Sequence, residues 1–451
     1  MGASEAAVIK QHLIDPEICI RCNTCEATCP VGAITHDDRN YVVDASKCNS
    51  CMDCISPCPT GSIDNWRMMP RVMAYPIAEQ LVWDELPAEL PAGELVDQLT
   101  EMDSPASTDV DAVSLSSAPS EGAVLVSSGN FGATLPPWSA AHAYTNLYGP
   151  KTAEKTITAK VTGNVRVTEV GKEYDTHHIV LDFGKTPFPV LEGQSVAVVP
   201  PGADGQGRAH HPRQYSVASP RNGERPGYNN LSLTVKRVLE DHAGKPVRGV
   251  ASNYLCDLAV GDSVQLIGPF GASFLMPNHP GSHIVMICTG TGSAPMRAMT
   301  EWRRRQRQTA AGPSQGGPAP TGGSDPRSAG AWGFNPEVGN LMLFFGARTK
   351  EELPYFGPLQ NLPKDFIDIH FAFSRAQGQP KKYVQDLMRE QASTLAPMLA
   401  NPDTYFYVCG LKSMEEGVVS ALQDIAKQSG MNWDEIATSL KRDGRLHLET
   451  Y

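Results

Sequence analysis

Eight of the chain's eleven cysteines lie within its first 58 residues, and they repeat one frame twice. The first frame is Cys19-x2-Cys22-x2-Cys25-x3-Cys29-Pro30; the second is Cys48-x2-Cys51-x2-Cys54-x3-Cys58-Pro59. The opening residues, Met1-Gly2-Ala3-Ser4-Glu5, lack the basic start and apolar run of a secretion signal. Close-spaced thiols in such a chain read as metal ligands rather than disulfides. A structural zinc module also uses paired Cys-x2-Cys, but four thiolates complete a zinc site and give no reason for the third close cysteine. The other three cysteines, Cys256, Cys288 and Cys409, are scattered, and the first two read as small buried residues.

The double frame is similar to that of bacterial ferredoxins carrying two [4Fe-4S] clusters. The resemblance implies that the fourth cysteine of each frame serves the other cluster. One cluster is then expected on Cys19, Cys22, Cys25 and Cys58, the other on Cys48, Cys51, Cys54 and Cys29, in a domain spanning 1–70.

Charge marks the next division. Between Arg71 and Lys151 there is no Lys or Arg, yet there are eleven acids; without them, 38 acids would face 38 bases. The whole net charge of −11 therefore sits in this Ser-, Ala- and Pro-rich stretch, which reads as an extended acidic linker over 71–150. Val124–Val126 and Leu135–Trp138 are apolar enough to dock on a surface. The net charge argues against nucleic acid as a partner, and no apolar run is long enough to span a bilayer, so a cytoplasmic location is expected.

From about Thr156 the residues alternate as strands do, with Gly, Pro and Asn at the turns, which predicts an antiparallel β-barrel over 151–277. From 278 the pattern becomes that of a parallel α/β domain. Its expected strands are His283–Cys288, Leu341–Phe345, Ile367–Phe373 and Tyr405–Val408. Its expected helices are Ala294–Arg307, Tyr383–Ala392 and Ser413–Ser429. A Gly/Pro/Ser-rich insertion at 309–335 reads as a mobile loop. The fold class expected is thus multidomain: α+β for the cysteine domain, a β-barrel, and a Rossmann-like α/β domain.

Arg213-Gln214-Tyr215-Ser216 ends a barrel strand, and Gly249-Val250-Ala251-Ser252 opens a helix. An arginine fork beside backbone N–H groups at a helix start suits a diphosphate. Thr289-Gly290-Thr291-Gly292-Ser293 follows a strand and opens a second helix, so a nucleotide diphosphate could approach its backbone, although it is not the dinucleotide fingerprint. Ser374, Arg375, Lys381, Tyr383 and Gln385 offer cations, a hydroxyl and an aromatic for a phosphorylated adenosine. The basic run Glu301–Arg307 reads as a solvated helix end, and the pairs His177-His178 and His210-His211 as surface residues.

Together these motifs resemble the plant-type ferredoxin–NADP⁺ reductases, in family order, from about Thr156 to Tyr451. Leu233–Arg237, Gly268–Gly271, Cys409–Met414 and Leu448–Tyr451 extend the match. The resemblance implies an FAD held by Arg213, Gln214, Tyr215, Ser216, Thr234, Val235, Lys236, Gly249, Val250, Ala251 and Ser252. It implies NADPH as substrate at Thr289, Thr291, Gly292, Ala347, Arg348, Ser374, Arg375, Lys381, Tyr383, Gln385, Gly410 and Leu411. Ser216, Cys409, Glu449 and Tyr451 would be the catalytic set, with Tyr451 on one flavin face and displaced when the nicotinamide stacks there. One departure is Glu240, where plant-type members often carry an aromatic for the adenine. Ferredoxin, acidic linker and reductase in this order resemble the reductase components of aerobic benzoyl-CoA epoxidases. That implies a di-iron oxygenase as electron acceptor; a homodimer is compatible with the sequence.

Overall fold

The computed structural model describes residues 8–55, 58, 60–87, 143–149, 155–225, 228–241, 244–277, 279–310 and 338–451. Contacts divide the chain into two units, 1–125 with 355–362, and 126–354 with 363–451.

In the first unit β1 (Val8–Leu13), α1 (Thr24–Thr28), β2 (Ile34–His36), β3 (Tyr41–Val43) and β4 (Asn65–Pro70) follow in turn. β1 pairs antiparallel with β4, and β2 with β3. The buried core is small: Ile14, Ile34, Tyr41, Val43 and Ile63 surround the cysteines themselves. A core this size stabilises little, which is the usual reason such units rely on metal.

The sequence placed a linker from residue 71, but the chain stays folded to Pro87. Asn40 Nδ2 donates to the carbonyls of Gln80, Leu81 and Trp83 at 3.2, 3.3 and 2.7 Å, and Arg67 Nη2 donates to Pro87 O at 2.7 Å. Gln80, 2% exposed in the short helix α2 (Ile77–Gln80), donates to Val43 O and Tyr75 O. Two buried amides do here what apolar residues usually do, so composition hid the boundary. Residues 88–142, including Val124–Val126 and Leu135–Trp138, lie outside the described residues, as do 311–335 of the insertion; Thr309 and Ala310 continue a helix.

The second unit opens with β5 (Ile157–Arg166), β6 (Thr176–Asp182), β7 (Ser195–Val199), β8 (Arg213–Ser216), β9 (Asn230–Lys236), α3 (Val250–Asp257) and β10 (Ser263–Phe270). Burial alternates along β5, as expected where one strand face meets a core and the other water. The six strands run antiparallel in the order β8-β7-β10-β5-β6-β9. Val217, just after β8, bridges Leu233 in β9, and Ala218 N donates to Ser232 O at 2.8 Å. The two ends of the order therefore meet, and the sheet closes as a barrel.

Next come β11 (His283–Thr289), α4 (Ser293–Ala310), β12 (Leu341–Ala347), β13 (Ile367–Phe373), α5 (Val384–Glu390), α6 (Ala392–Ala400), β14 (Thr404–Gly410), α7 (Lys412–Gln428), α8 (Trp433–Arg442) and β15 (Leu446–Thr450). The strands are parallel in the order β13-β12-β11-β14-β15. β11 is buried at every residue from Ile284 to Cys288, because helices cover both faces of such a sheet. α6, α8 and β15 were not anticipated. β15 is short and polar at alternate positions, and it is an edge strand.

The basic run in α4 is not solvated. Arg303 is fully buried and donates to His279 O and Ser282 Oγ, at 2.9 and 2.7 Å; burial pushes its guanidinium down to about 10. Arg305 donates to the carbonyls of Gly223 and Glu224, both at 2.7 Å. Arg297, one face away, grips Glu224 bidentately at 2.7 and 2.8 Å. Glu224 is 2% exposed and also faces His178 Nε2 at 3.6 Å, so His178 is a buried partner rather than a surface residue. Burial opposes the Glu224 charge, but Arg297 and His178 outweigh it and hold the carboxyl well below its usual range.

Arg297→Met should therefore strand a buried carboxylate and lower the unfolding free energy by about 3–5 kcal/mol near neutral pH. Glu224, with its depressed folded pKa, stabilises above its unfolded value and loses that contribution as pH falls. Urea melts of the two proteins should accordingly converge below about pH 4.5; a gap that stays constant with pH would assign the loss to packing instead.

Candidate functional site

The cysteine frames place their thiols in two groups. Cys58 and Cys22 are electrostatic neighbours of Cys19, and Cys19, Cys58 and Cys22 are those of Cys25. Cys29, Cys48 and Cys51 are those of Cys54, and these four line one cavity. Each group thus takes three thiols from one frame and the fourth from the other. Among the described residues no three His, Cys, Asp or Glu side chains converge on a point fit for a single ion.

The backbone repeats too. Arg21 and Asn23, on either side of Cys22, have φ of 57° and 61°; Ser50 and Met52, on either side of Cys51, have 58° and 67°. Four non-glycine residues in the left-handed region cost of order 1 kcal/mol each or more, and such strain persists only where its surroundings demand it. Alternating right- and left-handed residues turn successive N–H groups inward, the arrangement that receives anionic sulfur. Burial pushes the thiols of Cys19 and Cys54 up to about 12 and about 11. Such groups become thiolates only against a cationic metal centre, so the donor set fits a cluster.

In the second unit a cleft of about 380 Å³ is lined by Arg213, Gln214, Tyr215, Gly249, Val250, Ala251, Ser252, His210 and His211. Both halves of the expected FAD-diphosphate site therefore face one space. A side chain at Gly249 would meet Ser252 Oγ at 2.7 Å and Val238 Cβ at 2.8 Å, so only glycine allows the turn into α3. His210 and His211, read as surface residues, line this cleft; nothing in their local sequence signalled it. Val235 turns its side chain into the barrel core and Thr234 is buried, so a ligand there meets backbone.

Thr289, Thr291 and Gly292 sit at the C-terminal end of β11, in the turn that opens α4. A side chain at Gly292 would collide with the Cys409 carbonyl. The Thr289 and Ser293 hydroxyls are buried without a partner, an uncommon state that a bound phosphate would relieve. Ala347, Ser374 and Arg375 stand at the ends of β12 and β13, where Ser374 N donates to Ala347 O at 3.1 Å and Arg375 N to Arg348 O at 2.8 Å. Lys381 lies 4.9 Å from the centre of the Tyr383 ring, and Arg375, Lys381 and Tyr383 are exposed. Gln385 packs against Gly417, while Gly410 and Leu411 close β14 ahead of α7. Arg348, expected among the NADPH contacts, is held by Glu352 at 2.9 Å and Glu173 at 2.7 Å, and Tyr174 lies under both it and Lys236. Its donors are largely spent within the protein.

The expected catalytic set does converge. β14 and β15 pair so that Cys409 lies opposite Glu449 and Gly410 opposite Thr450. Glu449 receives a hydrogen bond from Ser216 of β8, and its Oε2 is buried without a partner. Burial raises the Glu449 carboxyl above its usual range, and the Ser216 bond only partly offsets this. Burial foremost, then the Glu449 charge, raises the Cys409 thiol. Tyr451 follows β15, its hydroxyl bonded to Thr291 at 2.9 Å. The residue is 64% exposed, and desolvation of its hydroxyl pushes it up to about 12.

Residues 18–62 match the family described as 4Fe-4S dicluster domain, and 286–420 the oxidoreductase NAD-binding domain. The cyanelle ferredoxin–NADP reductase of Cyanophora paradoxa is 37% identical over 296 residues, covering 64% of this chain and 74% of its own. The Synechocystis ferredoxin–NADP reductase is 33% identical over 314 residues, 68% of this chain and 69% of its own. Among solved structures, a ferredoxin–NADP⁺ reductase from Plasmodium falciparum covers 68% of this chain and all of its own at 20% identity and a TM-score of 0.49. No described helix is long and apolar enough to cross a membrane.

Glu449→Gln should remove, from the pH profile of flavin reduction, an inflection lying above the ordinary carboxylate range, since the raised group is the one buried beside Ser216 and Cys409. The same inflection persisting in the variant would assign it elsewhere.

Proposed function

Because the chain belongs to the ferredoxin–NADP reductase family and carries a 4Fe-4S dicluster domain ahead of it, we propose that it oxidises NADPH at an FAD and delivers single electrons through two [4Fe-4S] clusters. The acceptor is a di-iron oxygenase that epoxidises benzoyl-CoA. The observation that carries the hydride half is the meeting of Ser216, Cys409, Glu449 and Tyr451, drawn from β8, β14 and the end of β15. The cluster half rests on the two crossed thiol groups. The acceptor rests on the order of ferredoxin, linker and reductase alone.

When bound, FAD supplies the conversion of a two-electron hydride donor into a one-electron source. The protein's share is placement. Arg213 and the N–H groups of Val250–Ser252 would hold the diphosphate, and Tyr215 and Tyr451 would stack on the ring system. Ser216 and Glu449 keep a hydroxyl and a carboxyl in one hydrogen bond, where a proton can be held. Cys409 would face the nicotinamide as a neutral thiol, its ionisation opposed by burial. Arg375 and Lys381 receive the 2′-phosphate; they are exposed, whereas Arg348 is already clasped by two carboxylates.

Arg375→Ala with Lys381→Ala should raise KM for NADPH by one to two orders of magnitude and leave NADH nearly unaffected, because only NADPH carries the extra phosphate; equal losses in steady-state assays with both would refute the assignment. Anaerobic NADPH titration should bleach the flavin and then bring up cubane EPR signals. Coupled turnover of benzoyl-CoA with the purified oxygenase separates this acceptor from another low-potential one.

A further inference from the structure

Tyr451 is held in two different ways. Its backbone is fixed, because its N–H donates to Gly410 O at 3.0 Å and its carbonyl accepts from Lys412 N–H at 3.2 Å. Its side chain is held by the hydrogen bond to Thr291 Oγ1 at 2.9 Å, across 160 positions of sequence. The residue is otherwise largely exposed.

Thr291 is rigid in turn. It occupies the middle of the single 3-10 turn Gly290–Gly292, continuous with α4. Gly292 is wedged against the Cys409 carbonyl, so the turn cannot retreat, and a β-branched side chain has few rotamers to adopt. The strand end that carries Tyr451 and the turn that carries Thr291 are therefore two fixed walls, and the hydroxyl–hydroxyl bond joins them.

We propose that Thr291 is a positioning residue that latches the Tyr451 ring over the nicotinamide pocket, setting how often that pocket is open. This rests on the NADPH reading of the same cleft. A nicotinamide entering the pocket must swing the ring aside and so must break this bond. Its apparent affinity is reduced by the fraction of molecules whose ring is already displaced. One net neutral hydrogen bond changes that fraction by roughly two- to tenfold. A ligand that lacks the nicotinamide does not need the ring to move.

The test is a four-protein cycle on the flavin-loaded protein: wild type, Thr291→Val, Tyr451→Phe and the double variant. Phenylalanine keeps the ring and deletes the bond. Dissociation constants for NADP⁺ and for 2′-phospho-ADP-ribose, which keeps the diphosphate but lacks the nicotinamide, are read from flavin difference spectra, and their ratio cancels any loss of phosphate contact at the turn. Each single variant should shift the ratio toward NADP⁺ by roughly two- to tenfold, with a stronger nicotinamide–flavin charge-transfer band. The double variant should shift it no further, the signature of a pair acting as one. Ratios unchanged by Tyr451→Phe, or single effects that multiply in the double variant, would overturn the latch while leaving the NADPH reading intact. If none of the four binds NADP⁺, the NADPH reading fails and takes the latch with it.

Discussion

The barrel and the α/β layer are joined through one buried carboxylate, answered from the neighbouring layer. Glu224 leaves the barrel between β8 and β9, and Arg297 reaches it from the first turns of α4. Neither charge tolerates burial alone; each is stable only while the barrel and the α/β layer stay in register. Arg305 on the Gly223 and Glu224 carbonyls extends the clamp along the same helix. The N-terminus of α4 carries the nucleotide turn, so the interaction that fixes the layers also fixes where Thr289–Ser293 stands relative to Ser216.

That placement matters because hydride chemistry tolerates little error in position. Ser216 belongs to the barrel and Cys409 to the strand beside the edge of the parallel sheet, while Glu449 belongs to the edge itself. The parallel register of β14 and β15 sets Glu449 against Cys409, and barrel closure brings Ser216 to the carboxyl. A one-residue slip in β15 would turn Glu449 to the other face and leave the buried site without its acid. The edge strand is short and half polar, yet Phe406 N to Arg445 O and Tyr451 N to Gly410 O pin it at both ends.

In the first unit the organising element is covalent chemistry rather than packing. Few apolar side chains are buried there, and the left-handed residues flanking Cys22 and Cys51 keep a geometry that a packed core alone would not hold. Metal ligation through these thiols would supply the stability that the small core does not.

Much of this was legible in the sequence, because some chemistry is written locally. Thiol spacing, small residues after β11, and an arginine before Tyr215 and Ser216 each sit within a few positions, so their partners could be named from the chain alone. The barrel and the first four strands of the parallel sheet were legible for the same reason: alternation and buried runs are short-range signals. What the sequence could not determine was where charge ends up. Glu301–Arg307 reads as a solvated run, yet Arg303 is buried and Arg305 half-buried, because the carbonyls they cap lie some twenty and eighty residues away. His178 and Arg348 are engaged by Glu224 and Glu173 for the same reason, and Gln80 and Asn40 hold residues 71–87 that composition had assigned to a linker. Hydrogen bonds and ion pairs between distant segments have no local signature; only the folded chain decides them, because only folding brings a donor to its acceptor and removes the water that would have served either one.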